Sequence, residues 1–92
     1  MMVKIGDIAT FPNVKPDKAQ VIKIAEETLE VFSAWENWEF HALAPNFYTG
    51  ELLNECADVI QATSNLIEAL GVEDFTPYMQ DCEDRNRERG RL

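Results

Sequence analysis

The sequence predicts an all-α protein, built as a small helical bundle that oligomerisation completes. Apolar residues recur at spacings of three and four over long segments, and no segment shows the alternation typical of a β-strand. The 92 residues suffice for one domain but for only a small core. Because such a core is marginal, we expect a partner subunit to cover part of the apolar surface.

The first helix is expected to follow an irregular arm. Residues 1–15 show no clear period and are assigned to the arm, whereas residues 16–92 are assigned to a single helical domain. Pro16 suits the first turn of a helix that runs to about Trp38. A stripe at helical spacing is expected to face the core along this helix: Val21, Ala25, Thr28, Phe32 and Trp35.

The second helix is expected after a connector at residues 39–48. Thr49 is the predicted N-cap, and the helix should run to Leu70, with Gly71 as the residue that ends it. Its apolar stripe is predicted to comprise Leu52, Cys56, Val59, Thr63, Leu66 and Leu70.

A third, shorter helix is expected near the C-terminus. Thr76 is its predicted cap, Pro77 occupies its first position, and Gly90 closes it.

Composition excludes several classes of protein. A net charge of −9 argues against binding to a nucleic-acid backbone. No apolar run reaches the length of a membrane span, and the first residues lack the apolar core of a signal peptide, so we expect a soluble cytoplasmic protein. Cys56 and Cys82 are expected to be buried, reduced thiols, and His41 to be a connector or surface residue.

Charge is strongly segregated along the chain. The segment from Ile24 to Asp84 holds 14 acidic residues and no Lys or Arg, whereas all four arginines follow Asp84. This pattern fits either a solvated acidic surface with a basic tail or a cation site with a separate group that binds anions.

Two pairs of carboxylates stand out within that acidic segment. Glu27 and Glu30 are three residues apart, as are Glu55 and Asp58, so each pair shares one face of its helix. Two antiparallel helices could therefore direct four carboxylates, the ligands that Mg²⁺ prefers, to one point.

A solvated polar face is the alternative interpretation of these carboxylates. On a helical wheel, Glu27 and Glu30 lie opposite the predicted apolar stripe. Against this interpretation, the second helix carries no basic residue, and its carboxylate face includes Ala62 and Ala69. Small residues at these positions favour close approach of another helix.

Two motifs stand on the first two predicted helices. The segment from Glu26 to Glu30 reads EExxE, and the segment from Glu55 to Asp58 reads ExxD, with 24 residues between them. This order and spacing resemble the pattern of the MazG-like, all-α nucleoside triphosphate pyrophosphohydrolases, and the likeness covers roughly residues 16–90. The resemblance implies hydrolysis of nucleoside or deoxynucleoside triphosphates to the monophosphate and pyrophosphate.

The resemblance also implies roles for individual residues. Glu27, Glu30, Glu55 and Asp58 would bind Mg²⁺, for which Mn²⁺ could substitute. Glu26 would be a further ligand or would orient the attacking water, so Glu26 and Glu27 are the predicted catalytic residues. Relatives of this type form dimers or tetramers, which implies a homo-oligomer.

Substrate contacts are predicted at two places. Arg85 and Arg89 share a helix face beside Asn86, and guanidinium groups suit phosphate oxygens; pairing with neighbouring acidic residues is the alternative. Trp38 is the predicted base-stacking residue. Phe47 and Tyr48 are further candidates, whereas Trp35 is expected in the core.

A second class of function is also open at this point. A non-catalytic, acidic helical oligomer that serves as an interaction module would share the composition and the helices, but it would not depend on a divalent metal.

Overall fold

The computed structural model of the chain describes residues 1–42 and 45–92. These residues form three helices and no strand, which confirms the all-α class: α1 is Lys18–Phe40, α2 is Pro45–Ala69 and α3 is Thr76–Glu88. No helix in this part of the chain combines the length and apolar character that a membrane crossing requires.

Helix α1 begins two residues later than expected. Asp17 has an extended backbone, and its carboxylate accepts a hydrogen bond of 3.0 Å from the Gln20 amide, so Asp17 is the N-cap. Pro16 therefore precedes the helix, and its predicted place in the first turn is wrong. At the other end, α1 continues to Phe40, two residues beyond Trp38.

Helix α2 begins earlier than expected, at Pro45. Thr49 lies inside the helix and is not its N-cap; its hydroxyl instead accepts a 2.9 Å hydrogen bond from the Trp38 indole. Much of the predicted connector is thus helical, and Leu43 and Ala44 lie outside the described residues. Gly71 ends α2 with a φ of +84°, as predicted, because a residue without Cβ adopts this conformation readily.

The N-cap position of helix α3 is Phe75 rather than Thr76, and the Phe75 side chain makes no capping hydrogen bond. One residue earlier, the Asp74 carboxylate accepts a 3.0 Å hydrogen bond from the amide of Thr76, the first residue of the helix; this contact is called the Asp74 cap below. Hydrogen bonds from the Thr76 side chain and amide hold the pKa of Asp74 below its ordinary value. The predicted closing role of Gly90 is confirmed by its φ of +73°.

Helix α1 packs on the Ala62-containing face of α2, where close approach of a helix was expected, but it does so through a face other than its predicted core stripe. The buried or half-buried residues of α1 recur at spacings of four and three: Gln20, Ile24, Glu27, Val31, Ala34 and Trp38. The predicted core stripe lies on the neighbouring face, where Phe32 and Trp35 are 61% and 46% exposed. The expectation that this stripe, including Trp35, forms the core is therefore wrong within one chain.

On α2, the face toward α1 carries a small residue at its centre. Ala62 is buried, and its carbonyl accepts a 2.9 Å hydrogen bond from the Gln20 side chain. Much of the predicted apolar stripe of α2 is half-buried, but Leu70 is exposed. Cys56 and Cys82 are free but only half-buried, which corrects the expectation of buried thiols.

Helix α3 stands apart from the pair formed by α1 and α2. No Cα atom of α3 lies within 8 Å of either helix, and the described chain has a radius of gyration of 15.5 Å. A compact domain of this length has a radius of gyration of about 12 Å. The chain is therefore extended, and its apolar side chains are poorly covered.

The arm is tied to α2 by polar contacts. The Phe11 amide donates a 3.0 Å hydrogen bond to the Asn65 side-chain oxygen, and the Gln61 side chain donates to the Ala9 carbonyl. Gln61 also donates to Asn65, whose side chain is buried. These bonds place Phe11 beside the predicted carboxylate site.

Candidate metal centre

Four carboxylates meet where α1 and α2 pack. Glu27 and Glu30 come from α1, and Glu55 and Asp58 come from α2. One oxygen of each residue lies within 4.8 Å of an oxygen of each of the others. The structure thus brings together all four predicted metal ligands, and these four residues are called the carboxylate cluster below.

The carboxylate cluster is partly buried. Glu27 is only 7% exposed and Glu55 is half-buried, whereas Glu30 and Asp58 are exposed. The Oε2 atoms of Glu27 and of Glu55 are buried and accept no hydrogen bond, which is rare for carboxylate oxygens. Buried, unpartnered anionic oxygens are costly, and a bound cation would remove that cost.

One cation of the protein reaches the cluster. Lys23 Nζ lies 2.8 Å from Glu27 Oε1, one helical turn away on α1. This hydrogen bond holds the pKa of Glu27 below its ordinary value, and the same contact raises the pKa of Lys23. The pKa of Glu30 is raised, chiefly because a proton on Glu30 can bridge to the Glu27 carboxylate and because the negative charge of Glu27 disfavours ionisation.

The donor set and its spacing fit a hard divalent cation. Mg²⁺ takes oxygen ligands at about 2.1 Å, so two ligands on opposite sides of the ion are about 4.2 Å apart. Shifts of a few tenths of an ångström would bring the widest pair in the cluster, at up to 4.8 Å, to that spacing. Ca²⁺ takes oxygen ligands at about 2.3–2.6 Å and would fit the present spacing, so the donor set favours a hard cation over zinc without choosing among Mg²⁺, Mn²⁺ and Ca²⁺.

Two clefts open on either side of the cluster. The arm cleft, of about 400 Å³, is lined by Phe11, Gln20, Lys23, Glu27, Asp58, Gln61, Ala62 and Asn65. The aromatic cleft, of about 320 Å³, is lined by Glu30, Ser33, Ala34, Asn37, Phe47, Tyr48, Glu51 and Glu55. A molecule bound at the cluster could extend into either cleft.

The predicted substrate residues lie outside these clefts. Arg85 and Arg89 are exposed and Asn86 is half-buried on α3, which approaches neither α1 nor α2. Trp38 is half-buried, donates to Thr49 and stacks on Trp35 with 4.9 Å between ring centroids. Within one chain, none of these side chains is brought to the cluster.

Other predicted residues have varied positions. Glu26, the other predicted catalytic residue, is exposed and lies outside the carboxylate cluster. Phe47 and Tyr48, named as base-stacking candidates, do line the aromatic cleft. His41 follows α1 as its C-cap and stacks on Tyr48, with 4.2 Å between ring centroids.

Sequence reasoning missed the polar groups of the arm cleft. The amides Gln20, Gln61 and Asn65 carry no motif, so no signal in the sequence marked them. Lys23 could have been found, because it precedes Glu27 by four residues, the spacing of an ion pair on one helix face.

No family model matches this chain, and neither a curated protein nor a solved structure matches it. The relation to the MazG-like family therefore stays a prediction that rests on the two motifs.

Proposed function

We propose that this protein is a Mg²⁺-dependent nucleoside triphosphate pyrophosphohydrolase of the MazG-like type, acting in control of the nucleotide pool. The observation that carries the proposal is the Glu27 carboxylate. It is buried within a cluster of four carboxylates and has one oxygen without a partner. A buried carboxylate oxygen without a partner lowers the stability of the fold, and a cation bound to it would offset that cost.

The residues of the cluster divide the task between two helices. Glu27 and Glu30 would hold Mg²⁺ from α1, and Glu55 and Asp58 would hold it from α2. Bound there, the ion would polarise the phosphoryl oxygens and offset charge in the transition state. Glu26 is exposed and lies outside the cluster, and its proposed role is to orient the attacking water once substrate is bound.

Product identification tests the reaction. We expect release of pyrophosphate, and not of orthophosphate, from nucleoside and deoxynucleoside triphosphates in the presence of Mg²⁺, with Mn²⁺ as a substitute. Release of orthophosphate alone, or no release from any of the common triphosphates, would show that the proposed reaction is wrong.

Neutral variants of the cluster test the site. Glu27→Gln and Asp58→Asn should each lower kcat at least about 100-fold, because each removes a charged metal ligand. Glu68→Gln, an exposed carboxylate on the same helix as Asp58 but outside the cluster, is the matched control. Full activity in both cluster variants, with folding intact by circular dichroism, would contradict the assignment.

A homo-oligomer is part of the proposal, and surface area supports it. The chain exposes 7626 Å², whereas a folded monomer of 10.5 kDa exposes about 5,400 Å². The excess of about 2,200 Å² matches what one chain buries in a large homodimer interface. A second copy that packs on the Val21–Trp35 stripe of α1 would cover exposed apolar side chains such as Phe32 and Trp35.

The non-catalytic interaction module makes a different prediction. It would keep the oligomer but would gain no more stability from Mg²⁺ than from NaCl at equal ionic strength, because only specific binding to the folded state adds to its stability. A metal-specific rise in melting temperature together with pyrophosphate release would therefore exclude it.

A further inference from the structure

Lys23 is the one basic side chain that reaches the carboxylate cluster in the described part of the chain. Its Nζ lies 2.8 Å from Glu27 Oε1. The sequence has no other Lys or Arg from residue 24 to residue 84, so this segment of both long helices offers no substitute. Without a metal, the charge of Glu27 is balanced mainly by Lys23.

A metal at the cluster would compete with Lys23 for the same carboxylate. The Oε2 atom of Glu27 has no partner, and the ion would approach this carboxylate to about 2.1 Å. Two cations on one carboxylate repel each other at such distances. The arrival of the metal therefore weakens the ion pair between Lys23 and Glu27.

Lys23 has room to take another partner. Its side chain is 55% exposed and sits on a flexible stem, whereas the side chain of Glu27 is fixed by burial. Lys23 also lines the arm cleft, next to Gln61 and Phe11. The ammonium group can thus move from the cluster into the cleft without a change in the backbone.

The charges of the two clefts indicate which ligand Lys23 would meet. The aromatic cleft is lined by three carboxylates, Glu30, Glu51 and Glu55, and by no basic residue. Unshielded phosphate oxygens would be repelled there. The arm cleft is lined by two carboxylates, Glu27 and Asp58, both of which would be metal ligands, and by the ammonium group of Lys23. It is therefore the better place for phosphate oxygens that extend beyond the metal.

We propose that Lys23 exchanges partners during binding: it holds Glu27 in the metal-free protein, and it binds a phosphate oxygen of the polyphosphate once the metal occupies the cluster. The inference rests on the proposed function for the identity of the ligand. It makes Lys23 a substrate-binding residue in place of a permanent structural ion pair.

The exchange predicts opposite effects of one substitution on two ligands. In Lys23→Gln, Mn²⁺ alone should bind about two- to fivefold more tightly, because no ammonium group has to be displaced from Glu27. Inorganic pyrophosphate in the presence of saturating Mg²⁺ should bind about tenfold more weakly, because it loses a charged partner. An ion pair that never leaves Glu27 would not weaken pyrophosphate binding at saturating Mg²⁺ when it is removed, so the pyrophosphate titration separates exchange from a merely structural role.

Isothermal titration of Mn²⁺, and then of pyrophosphate with Mg²⁺, tests both effects. The control is Lys18→Gln, which makes the same change of charge at an exposed position of α1 that forms no ion pair in the described structure. Lys23→Arg should restore pyrophosphate binding. Lys23→Met, which keeps the apolar stem, serves if the glutamine variant fails to fold.

Two results would overturn the exchange. Equal changes in Mn²⁺ affinity in Lys23→Gln and Lys18→Gln would show only the loss of a positive charge near the site. Unchanged pyrophosphate binding in Lys23→Gln would show that Lys23 does not bind a phosphate oxygen. Neither titration needs turnover. An inactive native protein would thus refute the proposed reaction, whereas an active protein with no effect of Lys23→Gln refutes this inference alone.

Discussion

Glu27 is a carboxylate buried in the contact between α1 and α2. Its neighbours in sequence are exposed, yet Glu27 itself lies in the packed face between α1 and α2. A helix places residues four and three apart on one side, and Glu27 continues the series that contains Ile24 and Val31. The carboxylate is therefore held in place by packing, as a metal ligand needs to be.

Glu55 allows a direct test of the cost of the metal-free cluster. Its Oε2 is buried without a partner, so Glu55→Gln replaces an anionic oxygen with an amide that can donate to a neighbouring carboxylate. We expect this variant to melt at a higher temperature than the native protein in EDTA. We also expect it to lose the stabilisation by Mg²⁺, which in the native protein should be on the order of 10 °C at about 100 times Kd.

Differential scanning calorimetry measures both effects. Glu68→Gln, outside the cluster, should melt like the native protein with and without Mg²⁺, and NaCl of matched ionic strength corrects for screening. A lower melting temperature of Glu55→Gln than of the native protein in EDTA would show that the unpartnered oxygen of Glu55 does not destabilise the metal-free protein.

At the scale of the element, the three helices depend on different forces. Helices α1 and α2 stabilise each other through their common face, with Ala62 allowing close approach. Helix α3 has only 13 residues and no helix packed against it. Because a short isolated helix is marginal in water, α3 depends on its caps unless a second chain covers it.

The Asp74 cap predicts a pH-dependent start of α3. The pKa of Asp74 is lowered in the folded state, so its contribution is complete above the ordinary aspartate pKa of about 3.9 and is lost as the pH falls through the lower folded value. Asp74→Ala should weaken helical Cα chemical shifts at Thr76–Tyr78 at neutral pH, and the difference from the native protein should vanish in acid.

Asp81→Ala is the control for this prediction, because Asp81 is an exposed residue of the same helix and lies beyond its first turn. A shift difference for Asp74→Ala that persisted unchanged at pH 2 would show that the carboxylate charge does not cap α3.

At the scale of the whole molecule, the most apolar face of α1 is left uncovered. Phe32 and Trp35 lie on this exposed face, and the total surface exceeds that of a compact monomer of the same mass. Contiguous apolar surface of this kind typically marks an interface. The exposed stripe thus supports the proposed homo-oligomer.

Charge on the stripe should separate the subunits. Phe32→Glu combined with Trp35→Glu places two carboxylates where a second copy is expected to pack, so the species should shift to the mass of one chain, near 10.5 kDa. Analytical ultracentrifugation measures this mass. Val3→Glu, an exposed apolar residue of the arm, is the control. A native protein that is already monomeric would contradict the proposed oligomer.

The sequence by itself determined the helical class and the residues that share each helix face. Local interactions decide these features: residues three and four apart are neighbours on any helix, and glycines such as Gly71 and Gly90 mark ends because of their backbone freedom. The spacing of Glu27 with Glu30, and of Glu55 with Asp58, therefore placed each pair on one helix face, whereas the meeting of the two pairs depends on the packing of α1 on α2.

Only the tertiary structure decided which face of each helix turns inward. Periodicity favoured the Val21–Trp35 stripe because it is the most apolar, but within one chain α1 packs through the face that contains Glu27 and Ala34. The contact between the arm and α2 was likewise not predicted, because Phe11 and Asn65 are 54 residues apart in the sequence. Such contacts depend on the packing of whole elements, which no local pattern of residues specifies.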